Sequence, residues 1–337
     1  MALKLSKKLK SLVAVLKAHL IGAGTPLSVT IAVVGRCNYR CAYCKIWQQK
    51  KEQMSTEQVL KLIDELARMG TQRIGITQDE PLLHKDIGKI IDFCKERGIF
   101  VTLGTNGSLL EEKIDELKNI DVIILSFDGP AEVHDRHRIP GAYDNVIKAM
   151  KIASEHGIEI WTTTVLTKHN LHCVDYILDK ADEFKFRAAF QLLYHSPQVA
   201  GRTESLLPPA EEYRKAIQKL IDEKKRGRPI INSYTLLRFL YDWPFYSNPF
   251  YDEGVPHKRR LKCWSGELFF HIESNGEVYP CTQLTGKPLN WLKVGLKKAI
   301  ENAKDNRCAY CCLGADYIEY NLLFSLHPEP IWNVRGM

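Results

Sequence analysis

The stretch Cys37-Asn38-Tyr39-Arg40-Cys41-Ala42-Tyr43-Cys44 decides how this chain is read. Three cysteines fall in a C-x3-C-x2-C spacing. A zinc ribbon pairs C-x2-C knuckles, and a disulfide framework scatters its cysteines along the chain. Three closely spaced thiolates instead suit three corners of a cubane iron–sulfur cluster, because each ligand reaches a different iron. The fourth iron then lacks a protein ligand from this stretch, which leaves a corner where a small molecule can coordinate. A short zinc loop, or chance clustering of buried thiols, is the competing reading.

The stretch follows residues 29–34, VTIAVV, a β-branched run that reads as a buried strand. The cysteines therefore sit on a loop at a strand's carboxyl end, where α/β sheets place their chemistry. Strand patterns over 71–77, 99–103, 121–126, 158–166 and 187–194 then alternate with helical patterns over 56–69, 87–97, 109–117, 143–156 and 174–184. That alternation predicts six β/α units on a parallel sheet. Six units make an open, partial (β/α)6 TIM-like barrel rather than the closed eight.

Composition sets the outer limits. The 337 residues are 45% hydrophobic and 26% charged, enough for one large globular domain and a small one. No apolar run is long enough to span a bilayer, and lysines interrupt the early apolar residues where a cleavable signal would stand. The expected compartment is cytoplasmic, with room for contact at the inner membrane face. Ten cysteines in such a chain favour metal or cluster ligation over disulfides. The net charge of +7 is a mild excess, and no basic run interleaved with aromatics argues for nucleic acid.

Residues 1–22 read as an amphipathic helix, with Leu5, Leu9, Leu12, Val13, Leu16 and Leu20 on one face and lysines mostly away from it. Such a helix can lie in a membrane interface or pack on the catalytic domain. Residues 241–257, YDWPFYSNPFYDEGVPH, are rich in aromatics and proline and can form a lid, a pocket wall or a packed linker.

C-x3-C-x-aromatic-C after a first strand resembles the radical S-adenosylmethionine (SAM) superfamily, whose architecture is also the partial barrel. The resemblance implies a SAM-binding 4Fe–4S cluster on Cys37, Cys41 and Cys44. It also implies that SAM chelates the open iron through its amino and carboxylate groups. Reductive cleavage would then give methionine and a 5′-deoxyadenosyl radical that attacks the substrate. Gln78-Asp79-Glu80-Pro81 stands where the family carries Gly-Gly-Glu-Pro. Glu80 is implied to contact the methionine part of SAM, with Thr105 of Thr105-Asn106-Gly107 and Ser126 of Ser126-Phe127-Asp128-Gly129 as further contacts. Gln78 and Asp79 depart from the pattern and put side chains, one of them acidic, where glycines leave open space. The polar run His134-Asp135-Arg136-His137-Arg138 reads as a solvated loop, with Arg138 facing an anionic substrate as the alternative.

A second constellation begins at Cys263-x12-Gly276-x4-Cys281 and continues with Cys308, Cys311 and Cys312. A hairpin turned at Ser274-Asn275-Gly276 brings Cys263 and Cys281 together. Cys263, Cys281, Cys308 and Cys311 are the expected ligands of an auxiliary 4Fe–4S cluster, and a structural zinc site is the competing reading. Cys311 and Cys312 remain alternatives, with the C-x2-C spacing favouring Cys311. The pattern resembles the SPASM/twitch extension, in its shorter single-cluster form. Cys94 and Cys173 fall in helical stretches and read as inert core thiols.

The expected organisation is an amphipathic helix (1–27), a radical SAM core (28–195), a connecting helical and aromatic segment (196–262), and a hairpin-plus-helix auxiliary domain with a tail (263–337). No catalytic side chain beyond the cofactor set is singled out. The amphipathic and aromatic segments favour an apolar or lipid-like substrate. A ribosomally made peptide is the alternative, disfavoured by the lack of an evident leader-binding domain before residue 28. A SAM-incompetent iron–sulfur or zinc protein is a third reading. The family implies a low-potential donor, ferredoxin or flavodoxin, as partner.

Overall fold

The computed structural model describes residues 25–49, 51–193, 203–243, 246, 250–251, 261–283, 286–307 and 311–333. The expected helix over 1–22, most of the aromatic segment 241–257, and Cys308 lie outside the described residues.

Strand β1 (Ser28–Ile31) leads into the cysteine loop and then helix α1 (Thr56–Arg68). Ser55 starts α1 through a capping box: its hydroxyl accepts from the Gln58 N–H at 3.3 Å while Gln58 Oε1 accepts from the Ser55 N–H at 2.8 Å. Val59, Leu62, Ile63 and Leu66 recur at helical spacing and are buried against the sheet. Replacing fully buried Leu66 by alanine would cost about 2–5 kcal/mol.

The pattern repeats through β2 (Arg73–Ile76), α2 (Ile87–Glu96), β3 (Phe100–Thr105), α3 (Leu110–Lys113, continued by a 3-10 turn at Ile114–Leu117) and β4 (Val122–Ser126). Helices α4 (Ala131–His137) and α5 (Ala142–Glu155), β5 (Ile160–Leu166), α6 (Val174–Phe184) and β6 (Arg187–Leu192) complete six parallel strands in sequential order. The partial barrel stands as expected, within one to three residues at most boundaries. The 131–137 segment is a helix rather than the expected loop: Pro130 opens it, and Val133, His134 and His137 are buried.

Burial in β5 alternates strictly. Ile160, Thr162, Thr164 and Leu166 turn to the helices, while Trp161, Thr163 and Val165 turn to the barrel's interior. Small residues keep that interior open. A Cβ at Gly104 would come 2.7 Å from Thr77 Oγ1.

Helices α7 (Ala210–Lys225) and α8 (Tyr234–Tyr241) follow β6. The Asn232 amide exchanges two hydrogen bonds with the Phe190 backbone, at 2.7 and 3.0 Å, and so completes the free edge of β6. Within the aromatic segment, Trp243 and Tyr246 are buried in the core. The two-residue strand β7 (Phe250–Tyr251) comes next.

The carboxyl-terminal segment does not build a sheet apart. Strand β8 (Phe269–Ile272) pairs parallel with β1, Ser28 opposite Phe269, and then turns at Gly276 into antiparallel β9 (Glu277–Tyr279) and β10 (Leu289–Asn290). The result is one nine-stranded sheet. Helices α9 (Trp291–Val294) and α10 (Leu296–Asp305) cover it, and β11 (Cys311–Cys312) pairs with β7. Helix α11 (Ala315–Phe324) then crosses the open side of the barrel, and α12 (Pro328–Asn333) follows it. Asp316 accepts from Gln191 of β6 at 2.8 Å, while Tyr320 lies under Arg73 of β2, 5.3 Å from ring centre to guanidinium.

Candidate functional site

The barrel interior opens into a cavity of about 540 Å³. Cys37, Cys41 and Cys44 line it together with Gln78, Asp79, Thr105, Asn106 and Ser126. Loops from four successive strand ends thus meet at one mouth, as strand directionality requires.

The cysteine loop is pinned from several sides. Ala42 N–H donates to the His137 carbonyl at 2.8 Å, Asn106 Nδ2 to Asn38 Oδ1 at 2.8 Å, and Asn145 Nδ2 to the Tyr39 hydroxyl at 3.0 Å. Two backbone N–H groups aim at cysteine sulfurs, Tyr39 at Cys37 Sγ and Ile46 at Cys44 Sγ, each at 3.4 Å. N–H···S contacts of this kind stabilise cluster thiolates. Burial pushes the Cys37 thiol up to about 12 and also raises Cys44, so a cation must arrive to draw the protons off. Among the described residues, no three His, Cys, Asp or Glu side chains gather closely enough to hold a single metal ion. Three cysteines lining one cavity, two of them with N–H donors at sulfur, fit a cluster in which each thiolate takes a separate corner.

Arg138 is a correction to the solvated loop. It is mostly enclosed and lines the cavity beside the cysteines, donating from Nε to Asp128 Oδ2 at 2.7 Å. Its Nη1 stands 3.8 Å from Cys41 Sγ, and its guanidinium lies 5.3 Å from the Tyr43 ring centre. Asp128 is fully buried; although burial opposes ionisation, Arg138 and His134 hold its carboxyl below the usual range. Tyr43 OH also donates to Asp128, at 3.3 Å.

The turn after β2 keeps the backbone that glycines favour. Gln78 has φ 68° and Asp79 φ 53°, both left-handed. Both Asp79 carboxylate oxygens are buried and have no hydrogen-bond partner among the described residues. Burial and the nearby Glu273 push Asp79 up to about 7, against the pull of Lys51. Glu273 itself receives Lys51 Nζ at 2.7 Å and lies 3.2 Å from His271 Nε2. This pair ties β8's end to the segment just past the cysteines.

Glu80 stands behind the cavity wall, fully buried. Its Oε1 accepts from Thr105 Oγ1 at 2.7 Å and Leu82 N–H at 3.1 Å, and its Oε2 from Asn106 N–H at 2.8 Å. It reaches the cavity through Thr105 and Asp79's neighbouring backbone rather than by lining it.

In the second constellation, Cys263 and Cys281 pack in one cluster with Trp264, Phe269 and Tyr317, and Ser265 Oγ bridges to the Pro280 carbonyl at 2.7 Å. Cys311 and Cys312 form β11, and Cys308 is outside the described residues. Cys94 and Cys173 are buried, with thiols pushed by burial up to about 12 and about 11.

Residues 31–181 match the radical SAM superfamily. Among curated proteins, the chain is 28% identical over 203 residues to the Fe-coproporphyrin III synthase of Methanosarcina barkeri, covering 57% of this chain and 50% of the relative. It is also 28% identical over 271 residues to the antilisterial bacteriocin subtilosin biosynthesis protein AlbA of Bacillus subtilis, covering 76% and 55%. The chain thus spans about half the length of these two relatives. The fold is that of Streptococcus suis SuiB, solved bound to S-adenosylmethionine, with a TM-score of 0.67 at 17% identity over 87% of this chain and 71% of that one. The radical SAM family uses a 4Fe–4S cluster and SAM. Residues 31–181 form a radical SAM domain.

Proposed function

We propose that Cys37, Cys41 and Cys44 hold the 4Fe–4S cluster and leave one iron for SAM. The Gln78–Asp79 turn, Thr105 and Ser126 then contact SAM, and Glu80 acts by fixing Thr105 and Asn106. The reading rests on one observation: the three cysteines, the left-handed turn and the loops after β3 and β4 line a single cavity. When bound, the cofactor pair supplies reductive cleavage of SAM to methionine and a 5′-deoxyadenosyl radical that modifies the substrate. The chain's own part is to seat SAM, keep the cysteine loop rigid and screen the cavity from bulk water. Anaerobic reconstitution with dithionite and SAM tests this reading. Formation of 5′-deoxyadenosine supports it, and none forming would favour a SAM-incompetent protein.

The auxiliary cluster would sit on Cys263, Cys281, Cys308 and Cys311, and a ferredoxin or flavodoxin would deliver electrons. For the substrate, the aromatic and aliphatic lining of the cavity, with Trp47, Ile124, Trp161, Tyr320 and Leu323, supports an apolar or lipid-like molecule. Among the described residues no helix is long and apolar enough to cross a membrane. Peripheral contact would come from residues 1–22, and unchanged liposome binding after their deletion would remove that element. A peptide substrate is favoured by the similarity to AlbA, whose name places it in bacteriocin biosynthesis. Capture of a short peptide by the reconstituted protein would support that second reading.

A further inference from the structure

The far end of the cavity carries a charge pattern that the SAM site does not need. Arg73 opens β2 and Arg187 opens β6, so both stand at the amino ends of their strands, on opposite sides of the open barrel. Both line the cavity, as do the cysteines at its other end. Strand pairing sets Arg73 beside Phe100 and Trp161 beside Arg187. Arg187 lies 5.9 Å from the Trp161 ring centre, and Tyr320 supports Arg73 in the same way from α11. A ring face supports a guanidinium plane from the side and does not itself consume in-plane N–H donors.

Arg73 has donors to offer. Its Nη2 makes one long bond to Thr102 Oγ1, at 3.4 Å, and its Nε is buried with no partner among the described residues. A buried N–H left in that state is costly unless a ligand completes it.

Two acids line this end together with the arginines. Asp316 faces Arg73 across the cavity and accepts from Gln191, and Glu319 accepts from the Ser233 N–H at 2.6 Å. Burial raises Asp316 despite the facing Arg73, and raises Glu319 to about 7. Arg73 and Arg187 thus share this end of the cavity with two carboxyls that burial holds above their usual range.

We infer that the barrel floor is a carboxylate subsite, in which Arg73 and Arg187 hold the acid end of an amphipathic substrate whose apolar body rises toward the cysteine loop. The inference rests on the proposal that this cavity binds substrate, and it adds the polar end of that molecule. Guanidinium groups suit carboxylates because their paired N–H donors match the two oxygens. Phe100, Ile124, Trp161 and Leu323 supply apolar walls around the arginines.

Calorimetric titration of the anaerobically reconstituted full chain, with SAM present and no reductant, tests this with decanoate and its uncharged counterpart decanamide. Decanoate is expected to bind at least tenfold more tightly than decanamide. R73Q and R187Q should each remove most of that preference, and R73K should keep part of it. Equal affinity for the two probes, or no binding of decanoate, overturns the subsite and needs no variant to read. A preference unchanged in both glutamine variants, with native circular dichroism and cluster content, overturns it as well. Because no turnover is measured, failure here is separable from failure to cleave SAM.

Discussion

The Arg138 guanidinium donates to Asp128 at 2.7 Å and points Nη1 at Cys41 Sγ from 3.8 Å, so a fixed cation stands beside one of the proposed cluster ligands. Positive charge and N–H donors at cluster sulfurs favour the reduced, more negative state. R138Q should therefore move the midpoint potential of the SAM cluster downward, by roughly 60 mV for each tenfold lost in the one-electron equilibrium. An EPR-monitored redox titration without SAM reads the shift, and an unchanged potential would assign Arg138 to packing alone. D128N should instead destabilise the fold by about 3 kcal/mol, because it leaves a buried guanidinium uncompensated.

Lys51 and Glu273 join the cysteine loop to β8. Burial alone would raise Glu273, but His271 and Lys51 override it and hold the carboxyl at about 2. A depressed carboxyl stabilises the fold above its unfolded value of about 4.3, and that contribution is lost as pH falls toward 2. E273Q should cost about 3 kcal/mol at pH 7, and the gap to the native chain should close on acidification below about 4. Urea unfolding across that range measures both. A gap independent of pH would contradict the pairing.

Asp79 works in the opposite direction. Its carboxyl is raised to about 7, so its ionisation lowers stability progressively as pH rises from about 4, and fully above 7. Left-handed φ at a non-glycine residue adds roughly 1 kcal/mol of strain. D79G should raise the melting temperature, more at pH 8 than at pH 5, and tighten SAM binding about tenfold. A weaker SAM complex would show that the carboxylate is a ligand rather than an obstacle.

The six β/α units could be read in the sequence because each strand and helix carries its own apolar period. The exceptions involve partners distant along the chain. Nothing local announces that Phe269–Ile272 pairs with Ser28–Ile31 and merges the hairpin into the barrel's sheet. The run 134–138 looks polar and solvated because its counter-charge, Asp128, is delivered by the turn after β4. Helix α8 was missed although Ser233 caps it, its hydroxyl accepting from Leu236 N–H at 3.0 Å, because the proline-rich aromatics that follow masked a short apolar period. Strand alternation already turns Arg73 inward with Gly75, a signal that could have exposed the charged floor.

The central claim concerns three sulfurs, and iron bound per chain tests it most directly. Anaerobically reconstituted protein should hold two cubane clusters, about eight irons, by the stoichiometry of cysteine-ligated 4Fe–4S centres. The triple variant C37A/C41A/C44A should retain about four. It should also lose the change that SAM induces in the EPR signal of the reduced native protein. Equal iron in the two proteins, or zinc in place of iron at the native site, would contradict the assignment of Cys37, Cys41 and Cys44.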